Sequence, residues 1–488
     1  MNSHMNVKQI LQYGMGAKVI VVGKLIRFKV QKKFMFGAIC DGSESTGLQF
    51  IHTFTDEGEG EDSIMEFVTN AAVGASIIIS GEVIDSPSKG QTVELKLETC
   101  KVVCDIREPE HYLYGSAMCK RMGPVLMDER LINIRSDTFE RFNDKTLQAI
   151  FRIRSALKLS LYKFFADENG FVQVDTPILS KSDCEGAGET YQVTTMDLKN
   201  VPLKDGNVDY STDFFGVKAN LTVSGQLEAE ALCKSLPKVF TFGPTFRAEN
   251  SNTSRHLSEF WMIEPEFVCV DPDLEKRFHI LMDLQEDMLQ FVIKSIMSTN
   301  LDDLTYLEKV IEPGLIERLG KIGGDRFARV TYTEVIELLK IATVEFEIKE
   351  IVWGMDLNSD HERYICEQVF KKPTFITHYP RDLKSFYMKM DEGCNPDQIT
   401  CQACDLLVPN IGELCGGSCR EDDPEKLIAN MVKKGMNVSD LQWYVDLRYD
   451  GYLPSQGMGM GFERLIRYVT GIKSIRDVIA FPRYQNHI

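Results

Sequence analysis

The stretch TFGPTFRAENSNTSRHLSEFWMIEPEF, residues 241–267, divides into two β-type runs around a polar loop. The runs carry Arg247, Glu249, Glu259, Glu264 and Glu266 where a core should begin. Side chains on a strand alternate faces, so Thr241, Gly243, Thr245, Arg247 and Glu249 share one side and Phe240, Phe242, Pro244 and Phe246 the other. The second face is apolar; the first is small, then charged. On the next run Phe260, Met262 and Glu264 fall on a single face, a ring platform leading to an acid. The pattern predicts a hairpin with an apolar underside and an open floor above it, with a cation and an anion standing at the far end of that floor.

A second stretch bears on the same floor. GMGMGFERLIRYVTG, residues 457–471, brings Gly457, Gly459 and Gly461 up to a helix that stops at Gly471. The spacing is G-x-G-x-G and no βαβ unit with a later acid follows, which sets it apart from a dinucleotide loop. Glycines still let a backbone approach a flat ligand, and Arg464 in the first helical turn adds a fixed cation beside the positive helix end. Together these predict a seat for a nucleotide's rings and terminal phosphate. Asp405 and Glu413 flank the turn PNIG on adjacent predicted strands, and such a pair near phosphates is how magnesium is held. The hairpin register, and so whether the two acids share a face, is left open by the sequence.

At 488 residues, with 43% hydrophobic residues, the chain is long enough for two or more cores. It contains no apolar run of about 18 residues, and the N-terminus lacks a secretory pattern, so a cytoplasmic protein without a membrane partner is expected. The 13 cysteines are odd in number and scattered, which favours reduced thiols. Cys401, Cys404, Cys415 and Cys419 approach zinc-ligand spacing. Both pairs read as strand, however, and ligands four residues apart on a strand lie about 13 Å from each other, too far to share one ion. The net charge of −17 argues against nucleic acid, but charge is segregated: Lys24, Arg27, Lys29, Lys32 and Lys33 crowd one run with aromatics between them, a plausible RNA surface. Residues 17–104 show five short strand patterns, as in a small barrel. From about residue 131 long helices mix with strands, and the helical spacing over 147–171 is followed by the strand-like FVQVDTPIL.

In chain order these pieces resemble the three motifs of the class II aminoacyl-tRNA synthetases, of the aspartyl, asparaginyl and lysyl subclass, from about residue 17 onward. The helix over 147–171 with FVQVDTPIL and Pro177 is similar to the first motif, at the homodimer interface in that family; TFRAE…RHLSEF to the second; GMGMGFER to the third. The implied fold is α+β: an N-terminal OB-fold anticodon-binding β-barrel over 1–106, a hinge over 107–130, and a class II catalytic domain over 131–488, an antiparallel sheet flanked by helices.

The resemblance also implies roles. Arg247 grips the α-phosphate of ATP and the attacking carboxylate, and Glu249 holds the adenine amino group or the incoming tRNA end. His256 reaches the outer phosphates with Leu257 beside it, and Phe260 stacks on adenine. Gly461 and Arg464 cover the far side of the ring and the γ-phosphate, and Asp405 with Glu413 carries Mg2+. SDCEGAGE, residues 182–189, resembles a flipping loop whose Glu185 pairs with the substrate ammonium. Ser224, Gln226, Glu230, Glu264 and Arg420 complete the amino acid pocket, and Phe36 and Gln49 match anticodon positions in the barrel.

Aspartyl enzymes of the subclass follow their glutamine with a lysine that meets the substrate carboxylate. QLEAE has no cation, only Glu228 and Glu230, either of which would repel aspartate and accept the amide NH2 of asparagine while Arg420 donates to its carbonyl. The expected activity is therefore ATP-dependent activation of asparagine and its transfer to tRNA(Asn). An aspartyl or asparagine-forming paralogue would share the nucleotide site. A non-catalytic RNA-binding relative would have lost Arg247, Glu249 or Arg464, and all three are present. The stretch 192–213 reads as a polar insertion.

Overall fold

The computed structural model describes residues 3–44, 46–54, 61–87, 91–105, 144–181, 190–250, 256–324, 326–449 and 451–487. The predicted hinge at 107–130 and the loop carrying Glu185 lie outside the described residues. The chain divides into two compact units, residues 1–152 and 153–488.

In the first unit five strands, β1 (Lys18–Val30), β2 (Phe34–Cys40), β3 (Leu48–Thr53), β4 (Ser76–Asp85) and β5 (Val93–Cys104), run in the order β1–β2–β3–β5–β4. β1 pairs again with β4, which closes the barrel. Alternation sends Val19, Val21, Met35, Ile39, Phe50, Ile77 and Leu95 into its core. The helices α1 (Val7–Tyr13) and α2 (Glu61–Asn70) contribute Val7, Ile10, Ile64 and Phe67 to the same cluster. The opposite side of β2 and β3 carries Phe36 and Gln49: Phe36 pairs with Ile51, and Gln49 pairs with Ala38. Exposed Arg27 and Lys29 pair with Ala38 and Phe36 from β1, so cations and an exposed aromatic share one outer surface of the barrel, as the charge segregation predicts.

The second unit is built on an eight-stranded sheet. Its strands are β6 (Val172–Gln173), β7 (Lys238–Phe246), β8 (Glu259–Val268), β9 (Ala328–Thr331), β10 (Thr374–Pro380), β11 (Thr400–Val408), β12 (Gly412–Cys419) and β13 (Ser455–Gly461). They run in the order β9–β10–β11–β12–β13–β8–β7–β6, antiparallel except for the two outermost pairs. The predicted hairpin of β7 and β8 lies toward one end of the sheet, next to the short edge strand β6, and its apolar underside meets helices as the pattern requires. Phe240 stacks on Phe165 at 5.3 Å between ring centroids, and Phe242 meets Phe462 edge-on at 5.0 Å. Helix α3 (Lys145–Tyr162) continues into a wider turn, Lys163–Glu168, and ends at Gly170, whose φ of +69° suits glycine. From α3, Lys158 covers the Trp261 ring at 4.0 Å. Helices α4 (Gln226–Cys233) and α5 (Leu274–Thr299) pack on β8 and β12 respectively, and α6 (Gln442–Asp446) and α7 (Phe462–Thr470) flank the last strand in sequence. Among the described residues no helix is long and apolar enough to cross a membrane.

Two expectations change. FVQVDTPIL is strand only at Val172–Gln173 and again at Leu179–Ser180, because Pro177 has no N–H to give a ladder. The stretch 192–213, read as polar, presents Leu198 and Leu203 to solvent, with Phe214 beyond it. Charged neighbours along the sequence had masked them.

Candidate active site

Side chains above the sheet build a floor that descends from charge to glycine. Gly243 on β7 and Gly461 on β13 flank Met262 in register, and Gly459 pairs with Gly416 on β12. Of the glycines on β13, Gly457 is the one required by close approach. A Cβ on Gly459 would come within 2.8 Å of Met262 Cε, and one on Gly457 would collide with the Glu266 carboxylate.

At one end of this floor is a cavity of about 210 Å3. Arg247, Glu249, His256, Leu257 and Phe260 line it from the β7–β8 side, and Glu413, Gly461 and Arg464 from the β12–β13 side. All eight residues expected at the nucleotide thus face one space. β7 ends at Phe246, so Arg247 and Glu249 stand just beyond the strand rather than on it, although the Arg247 amide still donates to the Ser258 carbonyl at 3.0 Å. The Arg247 guanidinium lies 5.6 Å from the Phe260 ring centre and 3.8 Å from Glu249, whose other oxygen is 3.8 Å from His256. Across the cavity Arg464 Nη1 donates to the Glu413 carbonyl at 3.0 Å and to Oε2 at 3.2 Å. Its neighbour Glu463, almost fully buried, accepts from the Trp261 amide at 2.9 Å and pairs with Arg154 at 2.8 Å, which ties the start of α7 to β8.

The register also brings the two acids of the PNIG hairpin to one face. A bulge lies between Leu406 and Leu407, and a Cβ on Gly416 would sit 3.1 Å from Asp405 Oδ1 and 3.5 Å from Glu413 Oε1. Lys384 Nζ donates to Asp405 at 2.5 Å. Burial raises the Asp405 carboxyl above its ordinary value although Lys384 opposes it. Burial acts on Glu413 too, but Arg464 and Lys384 hold that carboxyl below the usual range. A third acid, Glu362, accepts from the Glu413 amide, and burial together with Glu413 and Asp405 pushes it up to about 8.

Beyond Met262 the floor becomes acidic. Glu264 accepts from Ser224 Oγ and, at 2.9 Å, from the Gly225 amide. A small cavity of about 20 Å3 lies between it and Thr241, Gly243 and Thr245. Glu230 is buried on α4 and Gln226 Nε2 donates to it at 2.9 Å; Glu228 is only half-buried, and burial raises its carboxyl. Arg420 is buried between acids: it pairs with Glu266, the Nε bond being 3.1 Å, donates to Ser418 Oγ at 2.7 Å, and lies 3.7 Å from Glu230. Ser224 and Glu264 therefore form one cluster, and Gln226, Glu230 and Arg420 an adjoining one. Phe36 and Gln49 belong to the barrel unit.

The four cysteines with metal-like spacing hold no common point. Cys404 and Cys415 both meet Gln285, at 3.4 and 3.2 Å, Cys419 meets Gln456 at 3.4 Å, and Cys401 the Tyr379 carbonyl at 3.5 Å. The residues that sequence reasoning missed are Lys384, Glu362, Glu266, Tyr444 and Arg448. Glu266 had a signal, since it continues the Phe260, Met262, Glu264 alternation.

Known proteins support the same reading of the chain. A family model described as tRNA synthetases class II (D, K and N) matches residues 133–485. The asparagine–tRNA ligase of Clostridium novyi is 42% identical over 96% of this chain and 95% of its own. That of Microcystis aeruginosa is 41% identical over 98% of each. The crystal structure of asparaginyl-tRNA synthetase from Pyrococcus horikoshii, complexed with asparaginyl-adenylate, superposes over the full length of both chains with a TM-score of 0.80 at 28% identity.

Proposed function

The chain belongs to the class II tRNA synthetases of the D, K and N group, and from that membership we propose that it activates asparagine with ATP and transfers it to the 3′ end of tRNA(Asn). The observation that carries the proposal is the meeting of Arg247 and Arg464 across one cavity, next to a pocket where buried Glu230 and Arg420 stand 3.7 Å apart. A carboxylate only accepts and a guanidinium only donates, so the pair matches the NH2 and carbonyl of a carboxamide and mismatches a carboxylate on the Glu230 side.

The asparagine carboxylate is ionised at neutral pH, so its attack on the α-phosphorus needs no base. It needs alignment and charge neutralisation. Glu264 receives the ammonium, joined by Glu185 from its loop, while Ser224 and Gln226 shape the pocket wall. Arg247 holds the α-phosphate and the incoming oxygen. Phe260 and Gly461 face the adenine ring, with Leu257 at its edge and Glu249 at its amino group. The new bond joins the carboxylate oxygen to phosphorus; the bond to the bridging oxygen breaks, and pyrophosphate leaves against Arg464 and His256. Asp405 and Glu413 offer only carboxylate oxygens and Gly416 keeps the space beside them open, which suits Mg2+, whose charge when bound neutralises the phosphates. In the second step the tRNA terminal 3′-hydroxyl attacks the asparaginyl carbonyl and AMP departs.

The rest of the assignment follows this activity. The barrel, residues 1–106, takes the anticodon against Phe36 and Gln49, 107–130 is the hinge, and 131–488 carries out the chemistry. The chain works as a homodimer, a view supported by Val172, Ile178 and Leu179 standing exposed on the segment similar to the first motif. Free thiols fit the cytoplasm. The test is charging of tRNA(Asn) and tRNA(Asp) transcripts with labelled asparagine: the first is expected to be acylated, and acylation of neither would overturn the proposal.

A further inference from the structure

Glu230 is 1% exposed, and its oxygens must be held in one orientation if they are to accept from an amide. Arg420, the cation nearest the substrate side, is shared: it makes two hydrogen bonds to Glu266 and only approaches Glu230. A second cation faces Glu230 from behind. Arg448 Nη2 donates to Glu230 Oε2 at 3.0 Å and to the Tyr444 hydroxyl at 2.8 Å. The Tyr444 hydroxyl lies 2.8 and 2.7 Å from the two carboxylate oxygens. Arg448 spends its other donors on the Glu421 and Tyr444 carbonyls, and its plane lies 4.0 Å from the Tyr444 ring centre and 4.5 Å from that of Tyr452. Burial works against its charge, and Tyr444 and Glu230 more than restore it.

We propose that Tyr444 and Arg448 are positioning residues for side-chain selection: they hold Glu230 in one orientation, so that Glu230 does not draw on Arg420 and that guanidinium can meet the substrate carbonyl. The inference rests on the function proposed above. Neither group lines the nucleotide cavity. Weakening the clamp leaves Glu230 free to rotate away from the line on which it accepts from the amide NH2.

The experiment is ATP–pyrophosphate exchange by the full-length chain with asparagine or aspartate, for wild type, Tyr444→Phe and Arg448→Lys. Wild type must first prefer asparagine; if it does not, the proposed function fails and the clamp has nothing to explain. Given that preference, Tyr444→Phe is expected to raise the KM for asparagine and lower the asparagine-to-aspartate ratio of kcat/KM, each by about tenfold, with the KM for ATP within about twofold. Arg448→Lys is expected to act in the same direction and more strongly, since one ammonium cannot replace the fork. An unchanged ratio in Tyr444→Phe, or an equal loss of asparagine and ATP use, would make the pair a structural strut and overturn the proposal. If Arg448→Lys does not fold, Tyr444→Phe alone decides.

Discussion

Arg247 and Arg464 stand on segments more than two hundred positions apart in the chain, yet line one cavity. Their environments differ in a way that suits two tasks. Arg247 is already near Glu249 and the Phe260 ring, whereas Arg464 bonds a Glu413 carboxylate that a magnesium ion would also claim. The acid pair depends on a missing side chain. With Ala in place of Gly416, a Cβ 3.1 Å from Asp405 Oδ1 obliges the carboxylate to give by a few tenths of an ångström. The expected outcome for Gly416→Ala is a rise of about tenfold in the Mg2+ concentration for half-maximal exchange, with the KM for asparagine little changed. A titration of exchange rate against Mg2+ checks it.

At the scale of elements, the legible parts were those whose chemistry is written along one strand or one turn. The β7–β8 alternation, the glycines before α7 and the PNIG hairpin could each be read from spacing, and the structure has them as expected, apart from the strand ending before Arg247. The clamp on Glu230 was illegible for a physical reason: Tyr444 and Arg448 reach it from more than two hundred residues away, through the packing of α6 against α4, and nothing in their local sequence marks them. Lys384 was missed likewise, since it follows the short turn Arg381–Leu383 and meets Asp405 only 21 positions further along the chain. The insertion beyond Tyr191 makes its own prediction. Asp213 accepts from Thr194 Oγ1 at 2.7 Å, the Thr195 amide at 3.0 Å and the Phe214 amide at 2.8 Å, which holds its carboxyl well below the ordinary 3.8. A depressed acid stabilises the fold above its unfolded pKa and loses that contribution as pH falls through the folded one. Hydrogen exchange at the Thr195 and Phe214 amides should stay slow as pH drops past the ordinary aspartate value and quicken only below it. In Asp213→Ala it should be fast at neutral pH.

At the scale of the whole molecule, the two units differ in surface chemistry. The barrel presents exposed Arg27, Lys29 and Phe36 on one surface, which under the proposed function is where a chain of net charge −17 would approach RNA. In the second unit Arg247 and Arg464 line one cavity and Glu264, Glu230 and Arg420 are buried beside it, so under the proposed function nucleotide binding and side-chain selection share one frame. Amino-acid-dependent ATP–pyrophosphate exchange, with asparagine and aspartate run side by side on the wild-type chain, probes both at once. Asparagine is expected to drive exchange at least about a hundredfold better than aspartate, as a buried mismatched charge requires. Exchange driven equally by aspartate, or by neither amino acid, would contradict the account.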